Sequence, residues 1–116
     1  MRPIQIAFMG PPPRLIEAAR LVADETNRIL DRPPRRLLHE IQLRNAAASI
    51  CANIREAYGR KAGRDRQQFL RFARGSAEET DEHWRANFAA RRLDPTVYWR
   101  LHHRLMTIIK LIDKLL

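Results

Sequence analysis

The sequence predicts an all-α protein, an up-down-up-down antiparallel four-helix bundle. Apolar residues recur at helical spacing in four segments, and proline or glycine separates each segment from the next. No stretch alternates apolar and polar residues as a half-buried strand would. Segments of about 17 to 25 residues joined by short connections favour antiparallel neighbours. The alternative is a three-helix core with the first segment packed elsewhere.

Length and composition predict one domain. A chain of 116 residues supports a single core, which we assign to residues 14–116, after an irregular proline-rich arm at 1–13. No apolar run approaches the roughly 20 residues of a membrane span, and the N-terminus lacks the features of a signal peptide. We therefore expect a cytoplasmic protein without a membrane partner. Cys51 has no second cysteine to pair with, and we expect a small apolar helix residue there.

Helix signals define the four segments. Gly59 is expected to end the second helix in a left-handed conformation. Asp94 is expected to cap the fourth helix, with Pro95 at its first position. The predicted ranges are 14–30, 34–58, 65–88 and 95–116.

The second helix is apolar on two flanks. One flank consists of Leu43, Ala47, Ile50, Ile54 and Ala57. The opposite flank consists of Leu38, Ile41, Ala48 and Ala52. A helix that is apolar on two sides requires a packing partner on each, so we expect more than the helix's own bundle to cover it.

A line of polar residues separates these flanks, and we call it the polar seam. On the second helix it consists of Gln42, Ser49, Asn53 and Glu56. An unpartnered buried polar group costs about 1 to 3 kcal/mol, so inward-facing members need partners. Our hypothesis is that Asn53 and Glu56 bond across to the third helix at Gly75 and Ser76, where small residues allow close approach. The alternative is that Glu56 faces water.

The third helix is predicted to be amphipathic. Its inner side is predicted to hold Phe69, Phe72, Ala73, Ser76, Ala77, Thr80, Trp84 and Phe88. Two ion pairs are expected at i, i+4 spacing on its outer side, namely Arg74 with Glu78 and Asp81 with Arg85.

Positive charge is concentrated in the middle of the chain. The net charge is +9, and the stretch from Arg28 to Arg74 contains twelve basic and four acidic residues. Arginine suits phosphate recognition, so we expect a polyanionic partner, nucleic acid first. An arginine-rich surface that serves only solubility is the alternative. The predicted contacts are Arg55, Arg60, Lys61, Arg64, Arg66, Arg71 and Arg74.

Residues for catalysis or metal binding are sparse, so we expect neither an enzyme nor a cofactor. His102 and His103 are adjacent, which places them about 100° apart on a helix. His39 and His83 are predicted to be lone residues. Glu79 lies one turn before His83, where a solvated acidic cluster is the simpler explanation.

The stretches "QLRNAAASICANIREAYGR" and "FLRFARGSAEE" resemble the bacterial four-helix bundle family encoded in intervening sequences of large-subunit ribosomal RNA genes. The resemblance covers about residues 33–82, and two departures are Ala57 in place of a glycine and the charged "ETDEHW". The matching positions are Gln42, Leu43, Ser49, Ile50, Asn53, Ile54, Glu56, Gly59, Arg60, Phe69, Leu70, Ala73, Gly75, Ser76 and Glu79.

This resemblance implies a left-handed four-helix bundle that assembles into a ring-like homopentamer. A related branch comprises accessory proteins of diversity-generating retroelements, which bind RNA and a reverse transcriptase. We therefore expect a self-associating basic bundle that binds nucleic acid, most simply structured RNA. The alternative is a protein-binding scaffold, such as an accessory subunit of a retroelement reverse transcriptase.

Overall fold

The computed structural model describes residues 10–33 and 36–116, which contain four α-helices and no strand. Each helix packs against the next, and α1 also packs against α4, which closes a bundle 52 × 22 × 20 Å in extent. The predicted fold class is therefore confirmed, and the three-helix alternative is wrong. The helices are α1 (Pro13–Leu30), α2 (Glu40–Tyr58), α3 (Arg64–Ala89) and α4 (Pro95–Asp113).

All four helices contribute to one apolar core. Leu15, Ile50, Trp84 and Leu105 are all fully or almost fully buried, and Trp84 is the largest of them. Removing such side chains from water supplies the main favourable term in folding, at about 25 cal/mol per Å². Within the part of the chain that the structure describes, no helix combines the length and apolarity needed to cross a membrane.

An ion pair ties α1 to α4 at the edge of this core. Glu25 is 8% exposed, and its carboxylate lies 2.6 Å from a guanidinium nitrogen of Arg100. Arg104 approaches the other carboxylate oxygen at 3.6 Å. The pairing joins residues 75 positions apart and holds α1 in the bundle.

The second helix begins later than the sequence predicts. Its first residue is Glu40 rather than residue 34, and His39 before it has the left-handed φ of 60°. Asn87, fully buried on α3, explains the difference, because it bonds both backbone groups of Leu38. Its Oδ1 accepts the Leu38 N–H at 2.6 Å, and its Nδ2 donates to the Leu38 carbonyl at 3.1 Å. Positions 34 and 35 of the predicted helix lie outside the described residues.

The remaining helix ends are close to prediction. Pro13 belongs to α1 rather than to the irregular arm predicted at 1–13, of which residues 1–9 lie outside the described residues. The fourth helix ends at Asp113, three residues short of the predicted end. Its predicted cap is confirmed, because the Asp94 carboxylate accepts the Thr96 N–H at 2.7 Å.

The left-handed glycine of the α2–α3 connection is not the predicted one. Gly59 has a right-handed φ of −78°, so the prediction for this residue is wrong. Gly63, directly before α3, has a φ of 139°, which side-chain-bearing residues rarely adopt. The right-handed backbone conformation of α2 therefore continues through Gly59, and the left-handed residue of the connection is Gly63.

The two apolar flanks of α2 have different environments. Leu43, Ile50 and Ile54 are fully buried, as predicted for the inner flank. Ile41 is 73% exposed, and Ala48 and Ala52 also face outward, so the single chain leaves this part of the outer flank uncovered. Leu38, the fourth predicted member, is half-buried and precedes the helix, so its assignment to the flank is wrong.

Phe72 is the one clear error on the predicted inner side of α3. Phe72 is 48% exposed. Its neighbour Ala73 faces the core, and successive residues of a helix point about 100° apart, so Phe72 points away from the core.

Candidate nucleic-acid interface

The predicted basic contacts lie around the α2–α3 connection, where Arg66 has a structural role. Its Nε donates to the Ala57 carbonyl at 3.2 Å, and its Nη2 donates to the Arg60 carbonyl at 2.6 Å. Its guanidinium also lies over the Tyr58 ring, 4.5 Å from the centroid. These carbonyls belong to the last turn of α2 and the connection after it, where few backbone donors follow, although the Ala57 carbonyl also accepts the Arg60 N–H at 3.3 Å. Arg66 therefore caps α2 and fixes the connection to α3.

Arg60 and Arg74 also have partners within the chain. Arg60 lies over the Phe69 ring at 4.5 Å and is 3.2 Å from a Glu56 carboxylate oxygen. Arg74 donates to Asp113 at 2.7 Å and lies 3.4 Å from Glu78. These two arginines are partly neutralised by carboxylates, and Arg60 is also held by an aromatic ring.

The other four predicted contacts are exposed cations. Arg55, Lys61, Arg64 and Arg71 face solvent, and none has a hydrogen bond or ion pair from its side chain within residues 10–33 and 36–116. Lys61 and Arg64 flank Gly63, whereas Arg71 lies two turns further along α3 and Arg55 lies in the last turn of α2. We call these four residues the basic end.

The polar seam has a different arrangement from the predicted one. The hydrogen bond of the seam from α2 to α3 joins Ser49 and Ser76, whose hydroxyl oxygens are 2.9 Å apart. Asn53 donates instead to the carbonyl and hydroxyl oxygens of Ser49, at 2.9 and 3.0 Å, within its own helix. The prediction that Asn53 bonds across to α3 is therefore wrong.

Two further seam residues face water. Glu56 is exposed and accepts only from Arg60, so the prediction that it bonds to α3 is wrong and the alternative holds. Gln42 is exposed as well. A Cβ added at Gly75 would meet nothing within 4 Å, so the predicted close approach at Gly75 is also wrong.

The histidines are not isolated, contrary to the sequence prediction. His39 and His83 meet with their Nδ1 atoms 3.0 Å apart, and Glu79 lies 3.9 Å from the Nε2 of His83. His102 contacts the buried carboxylate of Asp81 at 2.9 Å. In the described parts of the chain, no three His, Cys, Asp or Glu residues are grouped to hold a metal ion.

Asp81 also forms one of the two ion pairs predicted along α3. Arg85 lies 2.9 Å from Asp81, and the predicted pair of Arg74 with Glu78 forms as well, so both predictions are confirmed. The hydrogen bond from Arg85 to Tyr98, followed by the charge of Asp81, raises the pKa of Arg85. This guanidinium is therefore held charged beside the aromatic residues of α4.

Sequence reasoning missed an exposed aromatic side chain at the opposite end of the bundle. Trp99 is 49% exposed and contacts the rings of Phe88, Tyr98 and His102. The run "VYW" followed by "HH" was the available signal, although the pattern alone does not reveal which ring faces water.

Comparison with known proteins agrees with the fold. A solved structure of a protein with unknown function from the S23 ribosomal protein family of Bacteroides thetaiotaomicron VPI-5482 superposes with a TM-score of 0.80 at 20% identity, covering 86% of this chain and 92% of the other. A search of curated proteins finds no match. The sequence model described as 23S rRNA-intervening sequence protein matches residues 16–114. Because this match spans nearly the whole bundle, the chain belongs to the 23S rRNA-intervening sequence protein family.

Proposed function

We propose that this protein is a non-enzymatic, self-associating basic bundle that binds structured RNA through the basic end. The observation that carries the proposal is the absence of carboxylate partners for Arg55, Lys61, Arg64 and Arg71 among the described residues. Nucleic acid presents closely spaced phosphates, and cations that neutralise them release bound counterions, which drives association.

The contrast with other arginines supports a specific role for these four cations. Arg44, Arg74, Arg85 and Arg100 each lie within 3 Å of a carboxylate. Other cations, including Arg28, Arg91 and Lys110, also lack an ion pair among the described residues. The basic end differs because its four cations lie close together along the chain, in the last turn of α2, the connection and the first eight residues of α3. Because Arg66 fixes the connection between the helices, Lys61 and Arg64 are presented on a preorganised segment, which reduces the entropy lost on binding.

RNA is the first nucleic acid to test. The family is described by reference to intervening sequences of 23S rRNA, and this description supplies an RNA context without naming a ligand. The basic end is formed by the last turn of α2, the short connection and the first eight residues of α3, and its exposed cations suit the phosphates of a folded RNA.

Self-association is supported by the uncovered outer flank of α2. Ile41 on this flank is 73% exposed. On the neighbouring helix α3, Phe72 is 48% exposed and Gly75 leaves open space for a neighbouring backbone. Exposed apolar surface of this kind marks interfaces between proteins. A ring of copies, a pentamer in the arrangement favoured by the resemblance, would repeat the basic end and strengthen weak phosphate contacts through multivalency. The alternative function is a protein-binding scaffold, such as an accessory subunit of a retroelement reverse transcriptase, whose arginines contact an acidic protein.

The binding of a labelled RNA hairpin across about 50 to 200 mM salt tests the proposal. The logarithm of the affinity should fall linearly with the logarithm of salt concentration. Lys61→Ala combined with Arg64→Ala should weaken binding and reduce the magnitude of the slope by about 0.7 to 0.9 for each contact removed.

The matched control is Arg28→Ala combined with Lys110→Ala. It removes the same charge from exposed positions on α1 and α4 that have no ion pair among the described residues. The control should bind within about twofold of the unaltered protein, since neither position contacts the RNA in this proposal. Absent or salt-insensitive binding by the unaltered protein would overturn the proposal, as would an equal loss in the control.

A further inference from the structure

The end of the bundle opposite the basic end presents a fixed aromatic surface. Trp99 remains 49% exposed, although its ring is held edge-on by three neighbours. Its ring centroid lies 5.9 Å from that of Phe88, 5.1 Å from that of Tyr98 and 5.6 Å from that of His102. Tyr98, which is buried, stacks on Phe88 at 4.5 Å. The neighbours therefore restrict the rotation of the Trp99 ring without covering it.

The turn between α3 and α4 places arginines beside this cluster. An open depression at this turn is lined by Phe88, Arg91, Arg92 and Pro95, and Phe88 also belongs to the aromatic cluster, with its ring 5.9 Å from that of Trp99. Two arginines against one carboxylate, Asp94, give the depression a net positive charge, and Arg92 also donates to the Arg36 carbonyl at 2.9 Å.

The backbone of this turn is fixed in a conformation that glycine would adopt more easily. Arg91 has a φ of 59°, and the N–H of Arg92 bonds to the Asn87 carbonyl at 2.9 Å, as in a glycine-terminated helix. The left-handed φ of Arg91 is therefore part of how α3 ends, and it places Arg91 and Arg92 in the turn directly after Phe88. Arg91 is exposed and has no ion pair within the described ranges, so its guanidinium is available for an anion.

We propose that this surface, formed by Phe88, Arg91, Arg92 and Trp99, binds an unpaired nucleotide of single-stranded RNA. The base stacks on Trp99, and the backbone phosphates bond to Arg91 and Arg92. An open aromatic ring beside cations is the arrangement by which proteins hold single strands without reading their sequence. The inference rests on the proposed function, because it assumes that RNA is the partner, and it adds a second site that prefers unpaired to paired nucleotides.

The preference for unpaired nucleotides follows from base accessibility. In an A-form duplex each base is already stacked between its neighbours, and proteins contact chiefly the backbone and the minor groove. A base in a loop, a bulge or a free end can leave the stack and lie against Trp99. The basic end, by contrast, contacts phosphates and binds paired and unpaired RNA alike.

The test compares a labelled hexauridylate with a 12-base-pair RNA duplex. Trp99→Ala should reduce the hexauridylate affinity by about 5- to 150-fold and leave the duplex affinity within about twofold. Trp99→Phe retains a ring and should recover most of the lost affinity. Leu21→Ala, which shortens an exposed apolar residue on α1, is the matched control and should leave both affinities within about twofold.

Tryptophan fluorescence gives a second readout. The chain has two tryptophans, of which Trp84 is fully buried and Trp99 is exposed. Hexauridylate should therefore quench the emission of the unaltered protein, and the Trp99→Phe variant should lose this quenching. Quenching that persists in the variant would overturn the inference.

The outcomes separate this inference from the proposed function. If the unaltered protein binds the duplex and Trp99→Ala binds hexauridylate equally well, the inference is wrong and the proposed function stands. If the unaltered protein binds neither RNA, both are wrong. If Trp99→Ala lowered the number of chains in the assembly, the Trp99 ring would lie between copies of the chain, and this result would also overturn the inference.

Discussion

The two apolar flanks of α2 have similar residue types, yet they lie in opposite environments. On the inner flank, Leu43, Ile50 and Ile54 are fully buried against the rest of the bundle. On the outer flank, Ile41 is 73% exposed. A hydrophobic period therefore identifies the residues that favour burial. It does not identify the helix or the second chain that packs on them, which depends on the fold and the assembly.

The seam between the flanks shows the same division at the level of single hydrogen bonds. Ser49 lies towards α3 and bonds to Ser76, whereas Glu56 lies towards solvent and pairs only with Arg60. One polar line along a helix therefore contains both a contact between helices and an ordinary surface ion pair, which is typically worth less than about 1 kcal/mol.

The largest expected effect compares the two flanks directly. Ile54→Ala should lower the free energy of unfolding by about 2 to 5 kcal/mol, because it leaves a cavity at a fully buried site. Ile41→Ala, measured at a protein concentration below that of self-association, should stay within about 0.5 kcal/mol. Urea denaturation measures both values, and equal losses would show that the two flanks do not differ within one chain.

A second prediction concerns the residue that sets the start of α2. Asn87→Ala should lower the free energy of unfolding by about 1 to 3 kcal/mol, because both backbone groups of Leu38 lose their partner. The matched control is Asn45→Ala, at an exposed position of α2, with an expected change within about 0.5 kcal/mol. Thermal or urea unfolding provides the comparison, and a neutral Asn87→Ala would mean that Asn87 does not hold this connection.

The seam gives a third, smaller effect. Ser49→Ala and Ser76→Ala should each cost about 0.5 to 1.5 kcal/mol, and the double variant should cost less than their sum because both remove one hydrogen bond. Glu56→Ala should stay within about 0.5 kcal/mol, since the side chain is exposed. A double-mutant cycle by chemical denaturation measures the coupling. Strict additivity would show that the hydroxyl pair contributes nothing to the contact between α2 and α3.

The smallest effect concerns Cys51, at the edge of the inner flank. Its 7% exposure confirms the predicted small apolar role, and burial raises the pKa of its thiol. Because the unfolded chain then loses the thiol proton first, stability should fall as pH rises above the ordinary thiol pKa. Burial also raises the pKa of Tyr58, with the same sign. Cys51→Ala should therefore reduce, without abolishing, the fall in the free energy of unfolding at alkaline pH, as measured by a pH series of denaturation curves. An unchanged fall would exclude a contribution from the thiol.

Local signals explain what the sequence predicts correctly. The four helices and the Asp94 cap depend on residues that are close together in the chain. Apolar periodicity, with proline or glycine between the segments, predicts their bounds within a few residues, except at the start of α2. That start depends on Asn87, 49 positions from Leu38, and no local pattern reveals the pairing.

Relations between helices explain what the sequence missed. His39 meets His83 across 44 positions, and Phe72 lies outside the core because of the rotation of α3 in the bundle. For the candidate site, the sequence indicates where the cations cluster along the chain. It does not indicate that Arg66 bonds to two backbone carbonyls, because the direction of those carbonyls depends on how α2 ends.

The central claim is that a second copy of the chain covers the exposed apolar residues Ile41 on α2 and Phe72 on α3 and so repeats the basic end. Sedimentation equilibrium tests it most directly. The unaltered protein should have a molar mass several times its 13.6 kDa, and five times for the ring that the resemblance favours. Ile41→Ser combined with Phe72→Ser should give 13.6 kDa with its helical content retained, whereas the exposed control Leu21→Ser should not change the mass. A mass of 13.6 kDa for the unaltered protein, or an undiminished mass for the double variant, would contradict the claim.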